Sequence, residues 1–136
     1  MYCLCLHNNL YDTVKKLNYI PVGLGKNKFS SEWLRDNLGD NIAEKNEYYG
    51  EHTFHYWFWK NKIDKIDNDK WIGFCAYRRF WSNNNDINSS IKTKKDFLIN
   101  VPKEWENYDT ILGHEIFINE MKFSKLLKHG LKSLIN

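Results

Sequence analysis

Apolar residues in this chain come in short unbroken runs separated by mixed or polar stretches. The first run, Met1–Leu6, ends in His7-Asn8-Asn9 and predicts a buried strand followed by a turn. Leu10, Val14 and Leu17 are then spaced for one face of a short helix opening near Asn9. Tyr19–Leu24 predicts a second strand, with Pro21 at a sheet edge or strand start because proline cannot donate to a ladder. From Gly25 to Asn46 the chain is polar and rich in Gly, Asn, Asp and Lys. So long an irregular segment within a compact domain is usually functional or disordered.

Glu47–Lys62 carries the strongest helical pattern, with Asn46 as its N-cap. Tyr48, His52, His55 and Trp59 share one face, and Tyr49, Thr53, Tyr56 and Lys60 the next. A helix apolar over so much of its surface is expected inside, with Tyr56, Trp57 and Trp59 packed on a sheet. Gly50 weakens its first turn. After a charged turn, Asp64–Lys70, the run Trp71–Tyr77 predicts a central strand buried on both faces, as parallel sheets require. Ser82–Ser90 reads as a polar loop, Tyr108–Leu112 as a further strand and Asn119–Ile135 as an amphipathic helix. Strands and helices alternating at these spacings predict an α/β fold, a mostly parallel open sheet with flanking helices, in one domain over residues 1–136.

The 136 residues are 42% hydrophobic and include six Trp, which is enough material for a core. The net charge of +3 is too mild to mark a nucleic-acid-binding face. The aromatics also gather on a helix expected to be buried, against a role in stacking single-stranded bases. Cys3 and Cys5, two apart on a strand, face one side and read as two small apolar core residues. No second C-x-C or C-x-x-C supplies metal partners. Free thiols, a short N-terminal apolar run without a basic leader, and no stretch near the ~20 apolar residues of a membrane span predict a cytoplasmic protein. Lys122, Lys125, Lys128 and Lys132 lie opposite the leucines of the C-terminal helix. That helix either rests on the inner face of an anionic membrane or packs as an ordinary surface helix.

Open α/β sheets bind ligands at the carboxyl ends of their strands, and Arg78 and Arg79 occupy such an end. On an extended backbone they point to opposite faces, so one reaches the crevice. There a guanidinium suits phosphate through its bidentate fork, the alternative being an internal ion pair. Asp36–Ile42 (DNLGDNI) is either ordinary turn chemistry or a loop whose amides and carboxylates fix a polar ligand. Glu51 and His55, one helical turn apart, read as a helix-face hydrogen bond or as an acid/base pair. No Gly-rich P-loop, G-x-G-x-x-G, H-E-x-x-H or G-x-S-x-G is present.

Several blocks fall together: Asp36–Ile42; Lys45-Asn46; Tyr49, Glu51 and Thr53; Tyr56-Trp57; Trp59-Lys60-Asn61; Ile72-Gly73; and Tyr77-Arg78-Arg79-Phe80. In order and spacing, over roughly residues 19–112, they resemble the domain-of-unknown-function family DUF4422 of capsular and exopolysaccharide gene clusters. The resemblance implies a GT-A-like fold and a glycosyltransferase using nucleotide-activated hexose or galactofuranose donors, with a glycan or lipid-linked glycan as acceptor. It implies a donor site drawn from Asp36, Asp40, Asn41, Lys45, Asn46, Glu51, Tyr56, Lys60, Tyr77, Arg78 and Arg79. Arg78 or Arg79 would compensate the diphosphate, and Asp40 and Asn41 would close over base or ribose. Asp67-Asn68-Asp69 matches the D-x-D of metal-dependent glycosyltransferases but precedes the strand. Donor binding is therefore expected to need no metal, without excluding Mn²⁺ or Mg²⁺. Ala76 stands where the family usually has His, Gly50 where it has Cys, and Phe54-His55 where small and apolar residues are usual. Members usually run considerably longer, so this chain is expected to be the N-terminal, nucleotide-binding half, with the acceptor site and general base elsewhere. The alternative is a non-catalytic nucleotide- or glycan-binding module.

Overall fold

The structure is a computed structural model and describes residues 1–82 and 96–113. The chain divides into two compact units, Met1–Glu104 and Trp105–Asn136.

The first unit is built on a four-stranded sheet. Its strands are β1 (Tyr2–Cys5), β2 (Ile20–Gly23), β3 (Leu34–Arg35) and β4 (Phe74–Ala76), in the order β3-β2-β1-β4. Every pair is parallel, with Cys3 opposite both Pro21 and Cys75. Helix α1 (Tyr11–Lys16) links β1 to β2, while α2 (Asn46–Tyr49) and α3 (His52–Asn61) lie between β3 and β4. The protein is an α/β fold with an all-parallel sheet and flanking helices.

The period-two alternation of β1 sorts its side chains onto two cores. Cys3 and Cys5 join Cys75, Val14, Leu17, Tyr19 and Trp33 on the α1 side. Leu4 joins Val22, Leu24, Phe54, Trp57 and Phe58 on the α3 side, with Tyr2 and Phe74 packed against them. Covering both faces is what a parallel sheet needs. The Sγ atoms of Cys3 and Cys5 are 3.8 Å apart, so the two thiols do face one side. All three thiols are free and buried. At Cys3 the contact with Cys5 is outweighed by the contact with Cys75 and by burial, pushing its thiol up to about 12. Its hydrogen bond to Cys3, then burial, raises Cys5 as well. Protonated thiols of this kind are core residues and not nucleophiles.

Five expectations need correction. Trp71–Tyr77 is not a central strand: β4 spans only Phe74–Ala76 and ends the sheet among the described residues. Its partner β1 begins opposite Phe74, and the Tyr2 N–H donates to the Gly73 carbonyl at 2.8 Å, so Trp71 and Ile72 run past the start of β1. The helix over 47–62 is broken at Gly50, whose φ of +54° lies in the left-handed region that favours glycine. Asn46 opens α2 as its first residue and supplies no N-cap bond. Only one face of α3 is buried, through Thr53, Phe54, Trp57 and Phe58; Trp59 is exposed and Tyr56 half-buried. In the second unit Tyr108–Leu112 forms no strand, because among the described residues no backbone pairs with it. The helix expected at Asn119–Ile135 lies outside the described residues, as does most of the Ser82–Ser90 loop.

Pro21 sits one residue into β2, which is flanked on both sides by strands. The Ile20 and Leu24 N–H groups donate to β1, to the Met1 and Cys5 carbonyls, so the Pro21 nitrogen faces the β3 side. There β3 pairs only with Val22 and Gly23, and no ladder bond is lost.

Candidate functional site

The residues expected at the site separate into two groups. The first is a clamp between the loop 36–42 and α3. Gly39 turns the loop with φ +71°, and a Cβ there would lie 2.3 Å from the Asn61 amide oxygen. Asn61 Nδ2 donates to the Asp40 and Trp57 carbonyls, both at 2.8 Å. Trp57 Nε1 donates to the Leu38 carbonyl at 2.6 Å, and the Tyr56 hydroxyl to Asp40 Oδ1 at 3.0 Å. Asn41 Nδ2 donates to the Gly39 carbonyl at 2.8 Å, while its Oδ1 accepts from the Ala43 N–H. That last bond satisfies a donor at the start of the 3₁₀ turn Ala43–Lys45.

Asn46 Nδ2 donates to the Gly50 carbonyl at 2.7 Å and to Thr53 Oγ1 at 3.0 Å. Asp36, just past β3, is fully buried. Among the described residues neither carboxylate oxygen has a hydrogen-bond partner at acceptable geometry. Burial pushes its pKa up, opposed by the nearby Thr53 hydroxyl and by Arg35. Lys45, Glu51 and Lys60 are exposed. Lys60 Nζ sits 3.7 Å from the Trp59 ring centroid. His55 packs against the rings of Phe74 and His52, at 4.8 and 5.6 Å. Burial, then His52, lowers its pKa, with Glu51 opposing. Its Nε2 is buried without a hydrogen-bond partner among the described residues, while the residue lines an open apolar hollow of about 320 Å³ with Phe58, Trp59, Ile63, Ile72 and Phe74.

The second group stands at the carboxyl edge of the sheet. The chain runs outward from β1 to β2 and β3, then returns to place β4 on the other side of β1. The strand order therefore reverses between β1 and β4, and in open α/β sheets that reversal opens the ligand crevice. His7 follows β1 and Tyr77-Arg78-Arg79 follow β4. The His7 and Tyr77 rings meet edge to face at 5.4 Å, and the Arg78 guanidinium lies 4.8 Å from the Tyr77 centroid. Tyr77 is half-buried; His7, Arg78 and Arg79 are exposed. Among the described residues neither arginine forms an ion pair.

The extended course expected for the arginine pair is corrected, because the Arg79 N–H donates to the Ala76 carbonyl at 2.9 Å and the chain turns there. Asp67 pairs with Lys70 in a turn ahead of β4, at the opposite end of the strand. Among the described residues no group of three or more His, Cys, Asp or Glu gathers in a metal-binding arrangement. No described helix is long and apolar enough to cross a membrane. His7 was missing from the expected site, although it follows an apolar run just as Arg78 does. What the sequence withheld was the adjacency of β1 and β4, which are separated by most of the unit.

An all-parallel sheet reversing between its first and fourth strands, with aromatic and cationic groups at the reversal, defines an open α/β protein. The chain belongs to the family described as domain of unknown function (DUF4422), whose family model matches residues 2–132. No curated protein and no solved structure matches it.

Proposed function

We propose that this chain binds a nucleotide-activated sugar at the β1/β4 crevice, as the donor-binding part of a GT-A-like glycosyltransferase of polysaccharide synthesis. The observation that carries this reading is the strand-order reversal with Tyr77, Arg78 and His7 gathered on it. A guanidinium held over an aromatic face keeps its donor edge free, and that edge matches two phosphoryl oxygens. Fixed positive charge there would stabilise the diphosphate leaving group as charge develops on it. Asp40, Asn41, Asn46 and Tyr56 act in this reading through the clamp and not by touching the donor. The acceptor would be a glycan or lipid-linked glycan, and a site near the inner membrane face fits such an acceptor.

One observation favours a second reading, a binding module without chemistry. The motif's amide and carboxylate groups at 40, 41 and 46 are engaged within the scaffold, leaving cations as the ligand-directed groups. Calorimetry of the purified chain with UDP- and GDP-sugars, with and without Mn²⁺ and EDTA, tests the proposal. Binding without metal is the expected result. Absence of binding by every donor under both conditions would overturn it. Release of nucleoside diphosphate in the presence of a glycan acceptor separates transferase from binding module.

A further inference from the structure

The loop after β2 brings a second set of cations to the carboxyl edge. Asn27 Nδ2 donates to the Leu6 carbonyl at 2.6 Å, tying this loop to the end of β1 beside His7. Arg35 donates through Nη2 to the Gly25 carbonyl at 2.7 Å and through Nη1 to the Asn27 carbonyl at 3.1 Å. Its guanidinium also lies 4.7 Å from the Phe29 centroid, and Phe29 packs so closely on Gly23 that a Cβ there would lie 2.6 Å from the ring. The loop is thus held at both ends, with the carbonyls of Gly25 and Asn27 turned to Arg35. Lys26 and Lys28, the residues between and beyond, are exposed.

The charges on this edge are one-sided. In the five residues past each strand end, Lys26 and Lys28 follow β2, and Arg78 and Arg79 follow β4. The acids in the same window are Asp36, which is buried, and Asp40, which accepts from Tyr56; both follow β3. β2 and β4 flank β1, so the two cationic loops stand about 10 Å apart, twice the strand spacing, on either side of the β1 end.

We infer that Lys26 and Lys28 form the second wall of the crevice, so that it takes a ligand carrying two or more phosphoryl groups, with Arg35 as the positioning residue that holds the wall. The inference rests on the crevice being the nucleotide site. A monophosphate engages one wall, whereas a diphosphate draws on the field of both, and paired cations across a cleft focus it.

The test uses the whole chain and whichever of UDP or GDP it binds better, with the matching monophosphate. The diphosphate is expected to bind at least tenfold tighter. Lys26→Ala/Lys28→Ala is expected to bring that ratio below about threefold while changing monophosphate affinity less than twofold. Arg35→Lys, which keeps the charge but loses the fork, is expected to lower the ratio with the monophosphate again unaffected, a selective change that general unfolding would not produce. Melting curves establish that each variant folds; if Arg35→Lys does not, the lysine pair decides alone. An unchanged ratio in the lysine pair, with weaker binding in Arg78→Ala, overturns this inference and leaves the nucleotide site standing. Unchanged binding in the lysine pair and in both arginine variants overturns the site itself.

Discussion

Asp40, Asn41, Asn46 and Asn61 occupy one region of the molecule and Lys26, Lys28, Arg78 and Arg79 another, and the regions differ in where their polar groups go. Asp40, Asn41, Asn46 and Asn61 each meet a backbone or side-chain partner within the loop 36–42, the adjoining turns or α3. At the carboxyl edge the four cations carry no ion pair among the described residues. A polar group that closes a hydrogen bond inside the protein contributes order. One left in solvent at a crevice contributes charge to whatever arrives. The densest motif in the sequence is therefore engaged as scaffold, and the sparser one carries the cations on which the proposed ligand site rests.

The comparison breaks most sharply at Trp57, which is buried on the sheet and donates to the Leu38 carbonyl. Trp57→Ala should cost about 3–5 kcal/mol of stability in urea titrations, from the lost volume and the orphaned carbonyl together. A loss near zero would mean that the clamp is not structural.

Arg78→Ala is expected to do the reverse. Donor binding by calorimetry should weaken by about 1.5–3 kcal/mol, with only part recovered in Arg78→Lys. The melting temperature should hardly move, as for an exposed side chain without an ion pair.

Asp36 sharpens the comparison from within the scaffold, as a buried carboxylate with no hydrogen-bond partner of acceptable geometry among the described residues. A carboxyl whose pKa folding raises keeps a proton that the unfolded chain gives up. Stability should therefore fall as pH rises from the ordinary 3.8 through the raised folded value. Asp36→Asn removes that ionisation, so it should gain about 1 kcal/mol at pH 7, with the advantage vanishing as pH approaches 3.8. Denaturation midpoints of both proteins across this range decide it, and a destabilised Asn variant would reveal a partner for the charge.

Tyr56→Phe should show the smallest effect. It removes one exposed hydrogen bond to Asp40, so the loss of stability should be far smaller than in Trp57→Ala. Donor affinity should stay within twofold if Asp40 is scaffold. A larger change in affinity than in stability would return the loop to the ligand side of the comparison.

Local pattern alone determined much of this protein. Apolar runs and their spacing gave β1, α1 and β2 nearly residue for residue, because a strand that alternates between two cores and a short amphipathic helix are written in neighbouring side chains. The Cys3 and Cys5 pairing on one face follows from the same period. The block from Asp36 to Arg79 was enough to point to the family. Tertiary structure decided the rest. Trp71–Gly73 is apolar enough to be a strand, yet the ladder starts only where β1 offers partners. Trp59 carries as much apolar surface as Trp57, but only one face of α3 meets the sheet. The site followed the same division. Arg78 and Arg79 could be located at a strand end from the sequence. That His7 and the β2 loop stand beside them depends on β4 returning to the far side of β1, a long-range pairing with no local signal.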